Sequence, residues 1–151
     1  MRDIETKGLN DLLVNVFNTI LKIEEVALKE SYGNAISLTE IHTLAAIGMG
    51  KPRTMTEVAN ELMINVSTLT TAVAKLVRKG YVKRFKGDAD RRIVRIELTE
   101  AGIAVLGEHE EFHRKMVAKV VENLGEEEAE LLTRSMGNLV EFFKKQYEEL
   151  K

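Results

Sequence analysis

The chain of 151 residues contains no cysteine and a single proline, Pro52. Without thiols, neither a disulfide framework nor thiolate chemistry is available. One proline and ten glycines leave room for long helices. No apolar run approaches the ~20 residues of a transmembrane helix, and no secretory signal pattern opens the chain. There is no internal repeat and no low-complexity linker. The expectation is a soluble cytoplasmic protein with no membrane partner, of a length that suits one domain with its own core.

Charge is present but uneven. The whole chain carries −2, yet Lys51–Arg95 holds eleven Lys and Arg against four Asp and Glu, a local +7 on a remainder of −9. A basic island on an acidic protein is an electrostatic footprint for phosphates. The same stretch reads as a helix–turn–helix followed by a basic hairpin. Helices are expected over Thr54–Leu62 and Val66–Lys79, joined through Met63, Ile64 and Asn65. A β-like run Tyr81–Phe85, a polar tip Lys86–Arg92 and a second β-like run Ile93–Leu98 follow. Two packed helices and a charged hairpin put one helix into a major groove and a loop beside it.

Around this unit the pattern is helical. Leu9, Leu13, Val16, Phe17, Ile20 and Ala27 recur at helical spacing between Asp3 and Glu30, before a glycine stop at Gly33. Ser37 with Glu40 reads as a capping box opening a helix through about Met49, and Thr54 with Glu57 repeats that signature. Asn65 suits the N-cap of the next helix and Gly80 its end. Thr99 is expected to cap a helix to about Leu124, and Glu126–Leu150 to form the last one. In that last helix Leu132, Met136, Leu139, Phe143, Tyr147 and Leu150 make a stripe. The fold class is mainly α with a small β-wing: a winged helix-turn-helix over residues 37–98, a connecting helix over 99–124, and terminal helices at 1–33 and 125–151. A compact central unit cannot cover both terminal stripes, which points to a homodimer formed by them.

Within Val66–Lys79 the inward stripe is Leu69, Val73, Leu76 and Val77, leaving Ser67, Thr68, Thr70 and Thr71 crowded at the start. Base edges are met by the N-terminal residues of a recognition helix, where small hydroxyls fit without steric conflict. Asn65 lies at the same end, and Lys75 and Arg78 lie further along, placed for phosphates. At the hairpin tip, Arg91 and Arg92 suit a narrow, electronegative minor groove, and Asp90 can hold one arginine by a bidentate pair.

These residues resemble the MarR family of winged-helix regulators. The resemblance runs through Leu62–Gly80 and Tyr81-Val82-Lys83-Arg84, and then Asp90, Arg92, Leu98, Thr99 and Gly102. The last five match the family's Asp-x-Arg wing and Leu-Thr-x-x-Gly sequence. It implies a homodimer on double-stranded DNA, at a pseudo-palindromic operator with half-sites about one turn apart. Arg92 would enter the minor groove. Several short runs are similar to the fatty-acid-biosynthesis repressor (FabT-type) branch: Ile23-Glu24-Glu25-Val26, Glu40-Ile41-His42-Thr43, Glu61-Leu62-Met63, Thr68-Leu69-Thr70-Thr71, Arg78-Lys79-Gly80-Tyr81 and Phe112-His113. That branch implies repression of fatty-acid synthesis genes and an acyl effector delivered on acyl carrier protein.

Three histidines are present, His42, His109 and His113. His109-Glu110-Glu111-Phe112-His113 matches the His-Glu-x-x-His pattern of zinc peptidases, whose spacing puts both imidazoles on one helix face. A zinc hydrolase with Glu110 as general base is the remote alternative, and it needs a third ligand and a substrate cleft. Two readings of these side chains stay open. One is core histidines whose polar contacts fix helix packing; the other is a regulatory zinc site. In zinc-responsive members of the resembled family, a glutamate on the first helix, a histidine on the second and an i, i+4 histidine pair on the fifth bind the metal. Glu24, His42, His109 and His113 match that pattern. DNA binding itself requires no cofactor.

Overall fold

The computed structural model describes residues 3–151 as six helices and a three-stranded sheet. The order is α1 (Asp3–Tyr32), α2 (Leu38–Ile47), β1 (Arg53–Thr54), α3 (Met55–Leu62), α4 (Val66–Arg78), β2 (Val82–Lys86), β3 (Val94–Leu98), α5 (Glu100–Val121) and α6 (Glu126–Leu150). The chain divides into two compact units, one ending at Thr43 and one beginning at Leu44. Among the described residues no helix is long and apolar enough to cross a membrane.

In the first unit α1 runs two residues past its expected end, and Gly33 stops it at φ +58, where a side chain would be strained. The Ser37–Glu40 capping box is reciprocal: Glu40 N donates to Ser37 Oγ at 3.2 Å, and Ser37 N donates to Glu40 Oε2 at 2.9 Å. Helix α2 stops at Ile47 rather than Met49, because Gly48 takes φ +74.

The second unit holds the winged helix. Glu57 N donates to Thr54 Oγ1, so Thr54 caps α3 as its sequence pattern predicts. Met63 then takes φ +54 and turns the chain toward α4. The side chain of Asn65 makes no capping bond, although the residue does occupy the N-cap position. The sheet order is β1-β3-β2, antiparallel throughout, with Val82 opposite Leu98 and Lys86 opposite Val94. Strand β1, two residues long, has no sequence signal and pairs Arg53 with Ile96. Val58, Leu69, Val73, Leu76, Ile96 and Leu106 are fully enclosed and form the core of this unit. Val77 does not join them; it is 38% exposed, so the inward stripe of α4 ends at Leu76.

Both long terminal helices carry uncovered apolar side chains. On α1, Leu9, Val16 and Phe17 are about half exposed, and on α6 so are Val140, Phe142 and Phe143. No residue of α6 is buried.

Candidate nucleic-acid interface

Helix α4 has two contrasting faces. Leu69, Val73 and Leu76 hold it to the core, while Ser67, Thr71, Lys75 and Arg78, at i, i+4, i+8 and i+11, form one exposed stripe. Thr68 and Asn65 are exposed at the same N-terminal end, and Thr70 is half-buried on its flank. The hydroxyls of Thr70 and Thr71 donate to the carbonyls of Val66 and Ser67, at 2.8 and 3.4 Å. Each oxygen keeps acceptor capacity, and the donated bond holds its rotamer. The N-terminal end of α4 therefore presents a row of small hydroxyls, backed by two cations nearer its C-terminus.

The hairpin β2–β3 follows α4 in the same unit. Its tip is closed by Gly87 N donating to Ile93 O at 2.8 Å and Ile93 N donating to Asp90 O at 3.1 Å. Within that loop Arg92 folds back on Asp90. Its Nε donates to Asp90 Oδ1 and its Nη2 to Oδ2, both at 3.1 Å, and its backbone N–H donates to Oδ1 at 3.0 Å. The expected bidentate pair is thus present, and Arg92 is the arginine held. Those bonds from the Arg92 guanidinium and backbone keep the Asp90 carboxyl below the usual carboxylate range. The Arg92 side chain nevertheless stays 91% exposed. Arg91 is exposed beside it.

One cation in the basic stretch is spent inside the protein. Arg53 reaches from β1 to the Ala46 carbonyl at the end of α2, bonds Glu61 and pairs with Glu57 at 3.7 Å. It ties two helices together, and sequence reasoning had no signal for it, because its partners lie four to eight residues away on different elements.

Each unit holds two of the four candidate metal-ligating residues, in contact with one another. In the first unit Glu24, 2% exposed, lies 3.0 Å from His42 through Oε2 and Nε2. In the second unit His109 and His113 face one another on α5, Nε2 to Nε2 at 3.0 Å, with ring centroids 4.5 Å apart. His109 is buried and His113 half-buried on one face of α5, whereas Val117 and Val120 further along are exposed.

Comparison with known proteins points the same way. Residues 36–94 match the MarR family. The chain is 37% identical to Streptococcus pneumoniae FabT, whose crystal structure is in complex with DNA; the match covers 97% of this chain and 99% of that one, with a TM-score of 0.82. It is 36% identical over 107 residues to YpoP, an HTH-type transcriptional regulator of Bacillus subtilis, covering 70% of this chain and 69% of YpoP. It is 27% identical over 136 residues to the HTH-type transcriptional repressor YetL of the same bacterium, covering 89% and 81%.

Proposed function

Since the chain belongs to the MarR family and is a DNA-binding transcriptional regulator of the winged-helix type, we propose that it works as a homodimeric repressor reading a pseudo-palindromic operator. Its relatives are regulators, not enzymes, which removes the hydrolase reading of His109, Glu110 and His113. The observation that carries the proposal is the pairing of an exposed, hydroxyl-lined start of α4 with a wing arginine already held in position by Asp90. Asn65, Ser67, Thr68, Thr70 and Thr71 face the major groove, Lys75 and Arg78 take phosphates, and Arg91 and Arg92 reach the minor groove. The half-exposed apolar side chains of α1 and of α6 support the dimer, because large exposed apolar patches mark interfaces. A protein of this kind works beside DNA, in the cytoplasm.

The regulated genes are those of fatty-acid synthesis, and the effector is a long acyl chain on acyl carrier protein acting as corepressor. Support comes from the short runs shared with that branch and from full-length similarity to FabT. The test is operator affinity with and without acyl carrier protein bearing a long acyl chain. Tightening supports the reading, and unchanged affinity removes the acyl effector.

A second reading, zinc response through Glu24, His42, His109 and His113, is supported by the 3.0 Å approach of the two Nε2 atoms of His109 and His113. Two imidazole nitrogens this close could exchange the hydrogen bond between them for a shared cation. Calorimetric zinc titration of metal-stripped protein, beside His113→Ala, decides it. Tight binding that disappears in the variant supports a sensor; no heat, or heat unchanged by the substitution, leaves the histidines structural.

A further inference from the structure

The end of α4 and the start of α5 meet at Thr99. Gly80, at φ +85, turns the chain out of α4. The amides of this junction are anchored to the last turns of that helix: Gly80 N donates to Val77 O and Tyr81 N to Leu76 O, both at 3.0 Å. The carbonyls of the same two residues are anchored to Thr99. Thr99 Oγ1 donates to Gly80 O at 2.6 Å, and Thr99 N donates to Tyr81 O at 3.0 Å. The hydroxyl also accepts from Gly102 N at 3.2 Å, which makes it the N-cap of α5. Every backbone donor and acceptor of Gly80–Tyr81 is therefore committed, half to α4 and half to one threonine. Gly102 leaves the room this needs, since a Cβ there would lie 2.3 Å from Tyr81 O.

We propose that Thr99 is a positioning residue for DNA recognition: by sharing its hydroxyl between the Gly80 carbonyl and the Gly102 amide, it sets the angle of α4 against α5. The inference rests on the reading of α4 as the recognition helix. Ser67 and Lys79 are twelve residues apart, roughly 18 Å of helix. A tilt of about 5° at the Gly80 end moves Ser67 by roughly 1.6 Å over that length, enough to break a hydrogen bond to a base edge. A capping residue alone has no such lever. The donated bond to Gly80, not the accepted bond from Gly102, is what carries the positioning.

The two bonds separate by mutation. Thr99→Ser keeps both. Thr99→Asp keeps the cap, because aspartate is as good an N-cap acceptor as serine, but has no proton to donate to Gly80 at neutral pH. The measurement is the ratio of affinities for a duplex selected by the wild-type protein from a randomised library and for a scrambled duplex of equal length. The ratio cancels any uniform effect of the added charge. The expected result is a ratio within about threefold of wild type for Thr99→Ser and lower by about tenfold for Thr99→Asp, the scale of one hydrogen bond to a base edge. An unchanged ratio in a folded Thr99→Asp protein overturns the proposal and leaves Thr99 as a cap. Amide hydrogen exchange without DNA provides the second reading. Faster exchange at Gly80 and Tyr81 in Thr99→Asp but not Thr99→Ser supports the proposal, and equal exchange in both overturns it. If wild-type protein selects no duplex, the recognition-helix reading fails instead, while the exchange result still decides whether Thr99 positions α4.

Discussion

Arg92 closes both ends of its guanidinium fork on Asp90, two residues earlier, and still leaves 91% of its side chain open to solvent. An arginine at a loop tip ordinarily gives up much of its rotamer freedom when it enters a groove. Here the loop has ordered it beforehand. Replacing Asp90 by Asn then sets two effects against each other. Removing a negative charge beside DNA strengthens attraction, whereas releasing the arginine adds the entropic cost of immobilising one side chain on binding. We expect the second to win for the selected duplex, with affinity falling roughly threefold to tenfold, and the first to show on scrambled duplex. Tighter binding to both would mean that the pair does not pre-order the wing.

The same pair predicts a titration. Asp90 has its pKa lowered by the Arg92 side-chain and backbone hydrogen bonds. A carboxyl with a depressed folded-state pKa contributes above its ordinary value near 3.8 and loses the contribution as pH falls through the lower folded value. The wing should therefore keep its geometry throughout the neutral and mildly acidic range. Carbon-detected NMR of the Asp90 carboxyl should give a midpoint below 3.8 in wild type and a return toward that value in Arg92→Ala. A wild-type midpoint at or above it contradicts the pairing.

Side chains at the two ends of α4 should fail differently. Thr68→Ala is expected to relax preference at particular base pairs, at about 0.5–1.5 kcal/mol for the single hydrogen bond removed. Lys75→Ala should weaken all duplexes alike and flatten the salt dependence. Selection from a randomised library, followed by salt titration, distinguishes them. Identical behaviour of the two variants would contradict the division of α4 into a reading end and a phosphate end.

The terminal helices predict an oligomeric state. Phe17 on α1 and Phe143 on α6 are 53% and 50% exposed. Phe17→Glu and Phe143→Glu place a charge on these apolar faces and should each shift sedimentation from dimer toward monomer. Operator affinity should fall by more than tenfold, because a monomer binds without bivalency. The wild-type chain sedimenting as a monomer at micromolar concentration would remove the dimer.

Elements specified by local bonds were legible in the sequence. Ser37 with Glu40, Thr54 with Glu57 and Thr99 with Gly102 are pairs three residues apart, and each helix start follows from them. The wing tip was legible for the same reason, since Asp90 and Arg92 are two residues apart. What periodicity missed depends on partners distant along the chain. Strand β1 exists because β3 offers it an edge, and Arg53 is drawn inward by Glu61 and the Ala46 carbonyl. Val77 follows the apolar pattern of α4, yet only three of that helix's side chains are buried. Asn65 has the residue type and position of a cap without the bond. His109 and His113 share one face of α5, as their spacing predicts, and that face is the covered one. The pairing of His42 with Glu24 and of His109 with His113 depends on rotamers that spacing alone does not specify.

The most direct test of the wing as a DNA contact is a salt titration of binding to the selected duplex, for wild type beside Arg92→Ala. Wild-type affinity is expected to fall linearly in log–log form with a steep slope, and the variant to bind more weakly with a slope smaller by about one per wing. Wild-type binding without salt dependence, or a variant with unchanged affinity and slope, would contradict the wing as part of the DNA-reading surface.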